Sequence, residues 1–211
     1  MIVSKLAEAV AFRYRRYQDR RFDDRYGLDT HSDRVDYVAR MPAASAECAI
    51  PYEPVQTFMF HRMLSEVHID RREYTFVDLG SGKGRAVLLA ATYGFATVIG
   101  VELSDELHAI AQQNVRSFTS RVSSASPIEL VWGDARTYQF PRRNLVVFLY
   151  NPFIGEVLED VATQLERFVS SERADLWLLY RNPQCADRVA RIPGLRQHAE
   201  SRSYRVYRRA S

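Results

Sequence analysis

Between Thr75 and Arg85 an apolar run stops at three glycines on alternate positions, Gly80, Gly82 and Gly84, and a helical pattern of small and aliphatic residues follows at once. A strand that turns directly into a helix through such a loop needs backbone angles that side chains resist. It also leaves bare main chain against which a ligand can lie. A tight structural turn alone would not need three alternating glycines. A phosphate-cradling P-loop would need four residues between its first glycine and a Gly-Lys-Ser/Thr, and here Lys83 is followed by Gly84. A dinucleotide fingerprint would place a small third residue at position 85, where this chain has Arg85.

The surrounding pattern alternates strand and helix. Apolar runs at Thr75–Leu79, Thr97–Val101, Ile128–Trp132, Leu145–Tyr150 and Leu176–Tyr180 predict strands, and Arg85–Tyr93, Asp105–Phe118 and Gly155–Val169 predict helices between them. Ser104 is placed to cap the second of these helices, with acidic residues in its first turn where the helix dipole favours them. Leu195–Ser201 and Tyr204–Arg208 alternate in the manner of an antiparallel hairpin at a sheet edge. The expected fold is a Rossmann-like, doubly wound α/β domain with a mostly parallel seven-strand sheet and a helical N-terminal cap. Residues 1–70 form the cap and 71–211 the ligand-binding core.

Three further segments lie where such a sheet delivers functional groups, at the carboxyl ends of its strands. Glu102 closes the second strand about 20 residues after the glycine loop, the register at which a carboxylate accepts hydrogen bonds from both ribose hydroxyls, with Leu103 beside it. Trp132-Gly133-Asp134-Ala135 ends the third strand. Asp134 offers a short acceptor and Ala135 a main-chain N–H, although Asp134 also suits a turn or a helix cap. Tyr150-Asn151-Pro152-Phe153 ends the fourth strand. An Asn151 carbonyl there can accept a hydrogen bond from an amine and aim its lone pair, or else simply cap the turn. Tyr150 and Tyr180 end neighbouring strands, either as one aromatic wall that desolvates an amine or as amphipathic caps.

Together the Asp-Leu-Gly-Ser-Gly-x-Gly loop, the Gly-Val-Glu strand and the strand ending in Asn-Pro-Phe resemble class I methyltransferases. Within that class they are most similar to the non-SET histone-lysine methyltransferases and to the lysine methyltransferases of the ATP-synthase c-subunit. The resemblance covers residues 74–153. It implies S-adenosylmethionine as cofactor, with Asp78, Gly80, Ser81, Gly82, Gly84, Glu102 and Leu103 around its methionine tail and ribose. It puts Asp134 and Ala135 at the adenine and Asn151, beside Tyr150, in the methyl-transfer channel. Pro51-Tyr52-Glu53-Pro54 is similar to the approach those enzymes place over the cofactor, so Tyr52 is expected to close the pocket. The implied reaction is direct displacement onto an amine, a protein lysine first, with a small-molecule acceptor or a catalytically silent scaffold as the rival readings. Only one proline separates Asn151 from Phe153, unlike the Asn-Pro-Pro-aromatic motif of adenine and glutamine methyltransferases. The accessory regions of the histone enzymes are also absent, so a nucleosome substrate does not carry over.

Composition narrows the alternatives. A net charge of +3 is too small to argue for nucleic acid, and no apolar run approaches the ~20 residues of a membrane span. Two cysteines, Cys48 and Cys185, supply neither a disulfide framework nor a zinc site, and point to the cytoplasm. No metal is expected, since His61, His68 and His108 lack partners at ligand spacing. Ser4–Arg21 has the apolar spacing of an amphipathic helix, and Glu53–Val67 restores it after a looser stretch at 41–46. Gly27 marks a turn within residues 25–30. Arg202, Arg205, Arg208 and Arg209 are expected to guard an exposed edge strand.

Overall fold

The computed structural model describes residues 17, 19–31, 52–150, 155–171 and 173–210. Most of the expected Ser4–Arg21 helix, the stretch 41–46, Cys48 and the Asn151-Pro152-Phe153 motif lie outside them. Seven strands form one sheet: β1 Thr75–Leu79, β2 Thr97–Glu102, β3 Ile128–Trp132, β4 Leu145–Tyr150, β5 Leu176–Arg181, β6 Leu195–Glu200 and β7 Tyr204–Arg209. Their order is β3-β2-β1-β4-β5-β7-β6. The first five pair in parallel, whereas β7 runs antiparallel to both β5 and β6. The chain reverses its direction of travel across the sheet between β1 and β4, which opens a crevice at their carboxyl ends.

Six described helices cover the two faces. Backbone at 17 and 19–26 is helical (α1 denotes 19–26), followed by α2 Thr57–Leu64, α3 Arg85–Ala91, α4 Asp105–Thr119, α5 Gly155–Ser171 and α6 Ala186–Ala190. Alternating strand residues divide the core in two. Phe76, Val98, Val146, Phe148 and Leu179 meet Phe60, Met63 and Leu64 of α2 and the small residues of α3 on one face. Val77, Leu79, Val101, Val147, Leu149 and Leu178 meet Val157, Val161 and Leu165 of α5 on the other. Helix α3 is buried on every side, which explains its alanines. Ser104 caps α4 by accepting the Leu107 N–H at 3.3 Å, with Asp105 and Glu106 in the first turn.

Two expectations change. The helix expected over Glu53–Val67 is shorter, because residues 52–56 are extended before α2. Pro54 disfavours helical angles at Glu53, and Gln56 keeps an extended ψ of 129°. The arginines after residue 201 do not guard the sheet edge. Strand β7 lies inside the sheet, and β6 is the outer strand. Arg205 instead pairs with Glu200 of β6 at 3.2 Å.

Helix α2 joins the core through one ring. Phe60 is 1% exposed and meets Phe76 and Phe148 edge-on, at centroid distances of 5.8 and 5.7 Å. Phe60→Ala is expected to cost about 3–5 kcal/mol, because the cavity lies between a helix and a sheet that cannot both close on it. Thermal melts followed by circular dichroism check this, with each kcal/mol lowering Tm by roughly 2–4 °C. A loss under about 1 kcal/mol would show that α2 does not complete the core.

Candidate active site

Two buried carboxylates stand side by side at the carboxyl ends of β1 and β2. Asp78 is 3% and Glu102 6% exposed. Glu102 spreads its two oxygens over main-chain donors, accepting Gly82 N–H at 2.7 Å and Ser104 N–H at 2.8 Å. It thereby ties the glycine loop to the turn that starts α4. The loop is also anchored to β2 by Gly80 and Ser81, whose N–H groups both donate to Val101 O, at 2.9 and 3.0 Å. Asp78 receives no hydrogen bond among the described residues. Burial, and then the neighbouring Glu102 charge, push its carboxyl well above the ordinary range. Burial raises Glu102 as well, against the pull of its N–H donors.

The glycines answer to contacts as well as to angles. Gly82 has a φ of 54°, and a Cβ there would stand 2.3 Å from the Tyr52 ring, so the tyrosine lies flush on bare main chain. Gly100 of β2 has ordinary angles but lies under α3, where a Cβ would meet Val87 Cγ2 at 2.8 Å and Ser81 Oγ at 3.0 Å. The 52–54 stretch spans the crevice: Tyr52 covers Gly82, and Glu53 interacts with the Tyr150 hydroxyl at the end of β4.

On the β2–β3 side, Trp132 is 66% exposed and donates its indole N–H to Leu103 O at 3.0 Å. Asp134 accepts from Arg136 N–H at 2.8 Å and pairs with the Arg136 guanidinium at 2.6 Å. Burial opposes its charge, but the Arg136 bonds outweigh it and hold the carboxyl below its ordinary value. Ala135 O accepts from Gln164 Nε2 at 2.9 Å.

Tyr150 and Tyr180 do not make one wall. The β4–β5 register pairs Tyr180 with Leu149 and Tyr150 with Arg181, and this one-residue offset sends the two rings to opposite faces. Tyr150 stays at the crevice, with the Arg181 guanidinium 5.4 Å from its ring centre, whereas Tyr180 is fully buried and its hydroxyl is pushed up to about 12 by burial.

Sequence reasoning missed the ionic cluster behind the loop. Lys83 and Arg85 are 1% and 2% exposed, and their partners come from residues 19–31. Nothing in local pattern marks those partners. No group of metal-ligating residues and no helix long and apolar enough to cross a membrane is found among the described residues.

Residues 49–133, which hold the loop, both carboxylates and the turn after β3, match the family model described as "Histone methylation protein DOT1". The fold is similar to that of an RNA methyltransferase from Salinibacter ruber in complex with S-adenosyl-L-homocysteine (21% identity, 74% of this chain and 92% of that chain, TM-score 0.51). It is also similar to a ribosomal protein L11 methylase from Lactobacillus delbrueckii subsp. bulgaricus (15% identity, 73% and 77%, TM-score 0.52). A third is the magnesium protoporphyrin IX methyltransferase of Synechocystis PCC 6803 (13% identity, 72% and 81%, TM-score 0.50). The fold is that of class I, S-adenosylmethionine-dependent methyltransferases. Among curated proteins none matches this chain.

The Asp78 carboxyl, raised by burial, has a direct consequence for stability. A carboxyl raised in the folded state gives its full contribution below the unfolded value near 4 and loses it as pH climbs through the raised one. Asp78→Asn is therefore expected to raise the melting temperature of the ligand-free protein at pH 8 and to change it little at pH 4.5. An equal gain at both pH values would remove the account of a carboxyl raised first by burial and then by the Glu102 charge.

Proposed function

We propose that this enzyme carries the methyl group of S-adenosylmethionine to an amine nitrogen, with a protein lysine as the first candidate. The observation that carries the reading is the pair of buried carboxylates beside a glycine loop, one of them without a partner among the described residues. Such a site favours a ligand that brings both a cation and hydroxyl donors, and the methionine ammonium and ribose of the cofactor supply them.

Asp78 would hold the ammonium, which restores the charge its burial opposes. Glu102 would accept a ribose hydroxyl, since a carboxylate has about four acceptor sites and the Gly82, Ser104 and Leu103 N–H groups do not fill them all. Gly80, Ser81, Gly82 and Gly84 would line the methionine side, with Tyr52 closing over it. Leu103, Asp134 and Ala135 would border the adenine. When bound, the sulfonium supplies an electrophilic methyl group.

On the acceptor side, Asn151 follows Tyr150 and would orient the amine by accepting its hydrogen bond. The half-buried Tyr150 disfavours a charged ammonium and so promotes the neutral nucleophile. Glu53 places a carboxylate at the crevice mouth, where a cationic side chain would first arrive. A lysine fits that order of groups.

Calorimetry with S-adenosylhomocysteine tests the donor half. Asp78→Ala and Glu102→Ala should each weaken binding by about 10- to 100-fold, the size of a hydrogen bond to a charged group. Asn151→Ala should leave that affinity within a few-fold and cut turnover by about 100-fold. Tritiated donor incubated with cell extract tests the acceptor half. Label recovered as methyl-lysine supports the proposal, whereas label only among metabolites turns it to a small-molecule acceptor.

A further inference from the structure

Two cations flank the glycine loop, and both are almost sealed from water. Arg85, the first residue of α3, reaches three groups of the N-terminal segment. Its Nε donates to Thr30 Oγ1 at 2.6 Å, its Nη2 to Asp23 Oδ2 at 2.8 Å, and its Nη1 lies 3.4 Å from Asp19 Oδ1. Thr30 Oγ1 donates in turn to Asp23 Oδ1 at 2.7 Å. Lys83 Nζ donates to Asp29 Oδ1 at 2.9 Å, and Asn114 of α4 clamps Asp29 through paired main-chain bonds at 2.8 Å.

Thr30 is the hinge of this arrangement. Its side chain is held by Arg85, and its main-chain oxygen accepts the Tyr52 hydroxyl at 3.0 Å. The Tyr52 ring then lies on Gly82, three residues before Arg85. The contacts close a circuit from the loop through Arg85, Thr30 and Tyr52 back to the loop. A buried guanidinium with two hydrogen-bonded partners, Thr30 and Asp23, fixes direction as well as charge, because its donors form a planar fork.

We propose that Arg85 is a positioning residue for the donor site, which sets the Tyr52 ring against Gly82 through Thr30 without touching the cofactor. This deepens the reading of the glycine loop as the donor site and rests on it. Donor affinity is accordingly sensitive to one hydroxyl, Thr30 Oγ1, which lies behind the loop.

The variants that test it leave the Arg85–Asp23 ion pair intact. Thr30→Val removes the hydroxyl at nearly constant shape, and Thr30→Ser keeps it. Binding of S-adenosylhomocysteine is measured by calorimetry well below the melting temperature of each protein. Thr30→Val and Tyr52→Phe should each weaken binding by roughly 5- to 30-fold, the range of one to two kcal/mol. Thr30→Ser should bind as the wild type does. Because both changes act through one path, the double variant Thr30→Val with Tyr52→Phe should bind little worse than either single variant.

Wild-type affinity in Thr30→Val, or fully additive losses in the double variant, would overturn the relay while leaving the donor reading intact. If the wild type gave no binding heat, the donor reading itself would fall. Lowered melting temperatures with unchanged affinity would assign the cluster to stability alone and so reject the positioning role.

Discussion

Burying two carboxylates next to each other is unfavourable, and the site at the ends of β1 and β2 is organised around that expense. Parallel pairing of β1 with β2 puts Asp78 opposite Gly100 and Leu79 opposite Val101, so Glu102 emerges two residues beyond the level of Asp78, on the same face. Strands buried on both faces hold these ends rigid, and neither carboxylate can swing to solvent. Glu102 recovers part of its lost hydration from the main-chain N–H groups of Gly82, Leu103 and Ser104, whereas the Asp78 carboxyl recovers none from the described residues. Sites of this kind trade stability of the empty protein for affinity toward a ligand of complementary charge. The trade works only if the rest of the domain supplies stability, which here comes from two apolar clusters on either side of the sheet.

The N-terminal segment solves a related problem behind the loop. Lys83 and Arg85 would meet solvent if residues 19–31 were removed, and the segment covers them with Asp19, Asp23 and Asp29. A buried ion pair is a weak source of net stability, since dehydrating both charges offsets much of their attraction. Its geometry is the more secure gain. Segment 19–31 is also held by apolar packing, with Tyr26 edge-on to Phe118 of α4 at 4.9 Å and Gly27 turning the chain at a φ of 62°. The cap and the strand core therefore share one hydrophobic face, and Phe22, Tyr26 and Leu28 extend it.

The sheet was legible because its strands are short, fully buried and bounded by glycine or charge. β1, β3 and β4 have the ends that their apolar runs predict, and β2 and β5 run one residue further. Glu102 was legible too, by its distance from the loop. What stayed hidden depends on contacts between distant residues. Arg85 lies 55 and 62 positions from Thr30 and Asp23, and a charged residue at a helix start reads as solvated. Tyr150 and Tyr180 are equivalent in sequence, yet a one-residue register offset separates them. The arginines of β7 read as an edge because sequence order makes that strand the last, while antiparallel pairing to β5 moves it inward.

In the reading proposed above, the donor and acceptor halves of the site obey different constraints, which accounts for similar folds serving unlike substrates. The donor half is built from strand ends and a glycine loop whose positions follow from the sheet itself. The named neighbours act on RNA, a ribosomal protein and a porphyrin, while sharing 13–21% of their residues with this chain. Their common part is therefore the sheet, and acceptor selection lies in what is attached to it. Here the attachment is the 52–54 stretch, which reaches from Gly82 on β1's side to Tyr150 on β4's. One end of that stretch meets the donor loop and the other meets the crevice mouth. In that reading, a change at Glu53 or Tyr150 alters acceptor preference while Asp78 and Glu102 keep their places.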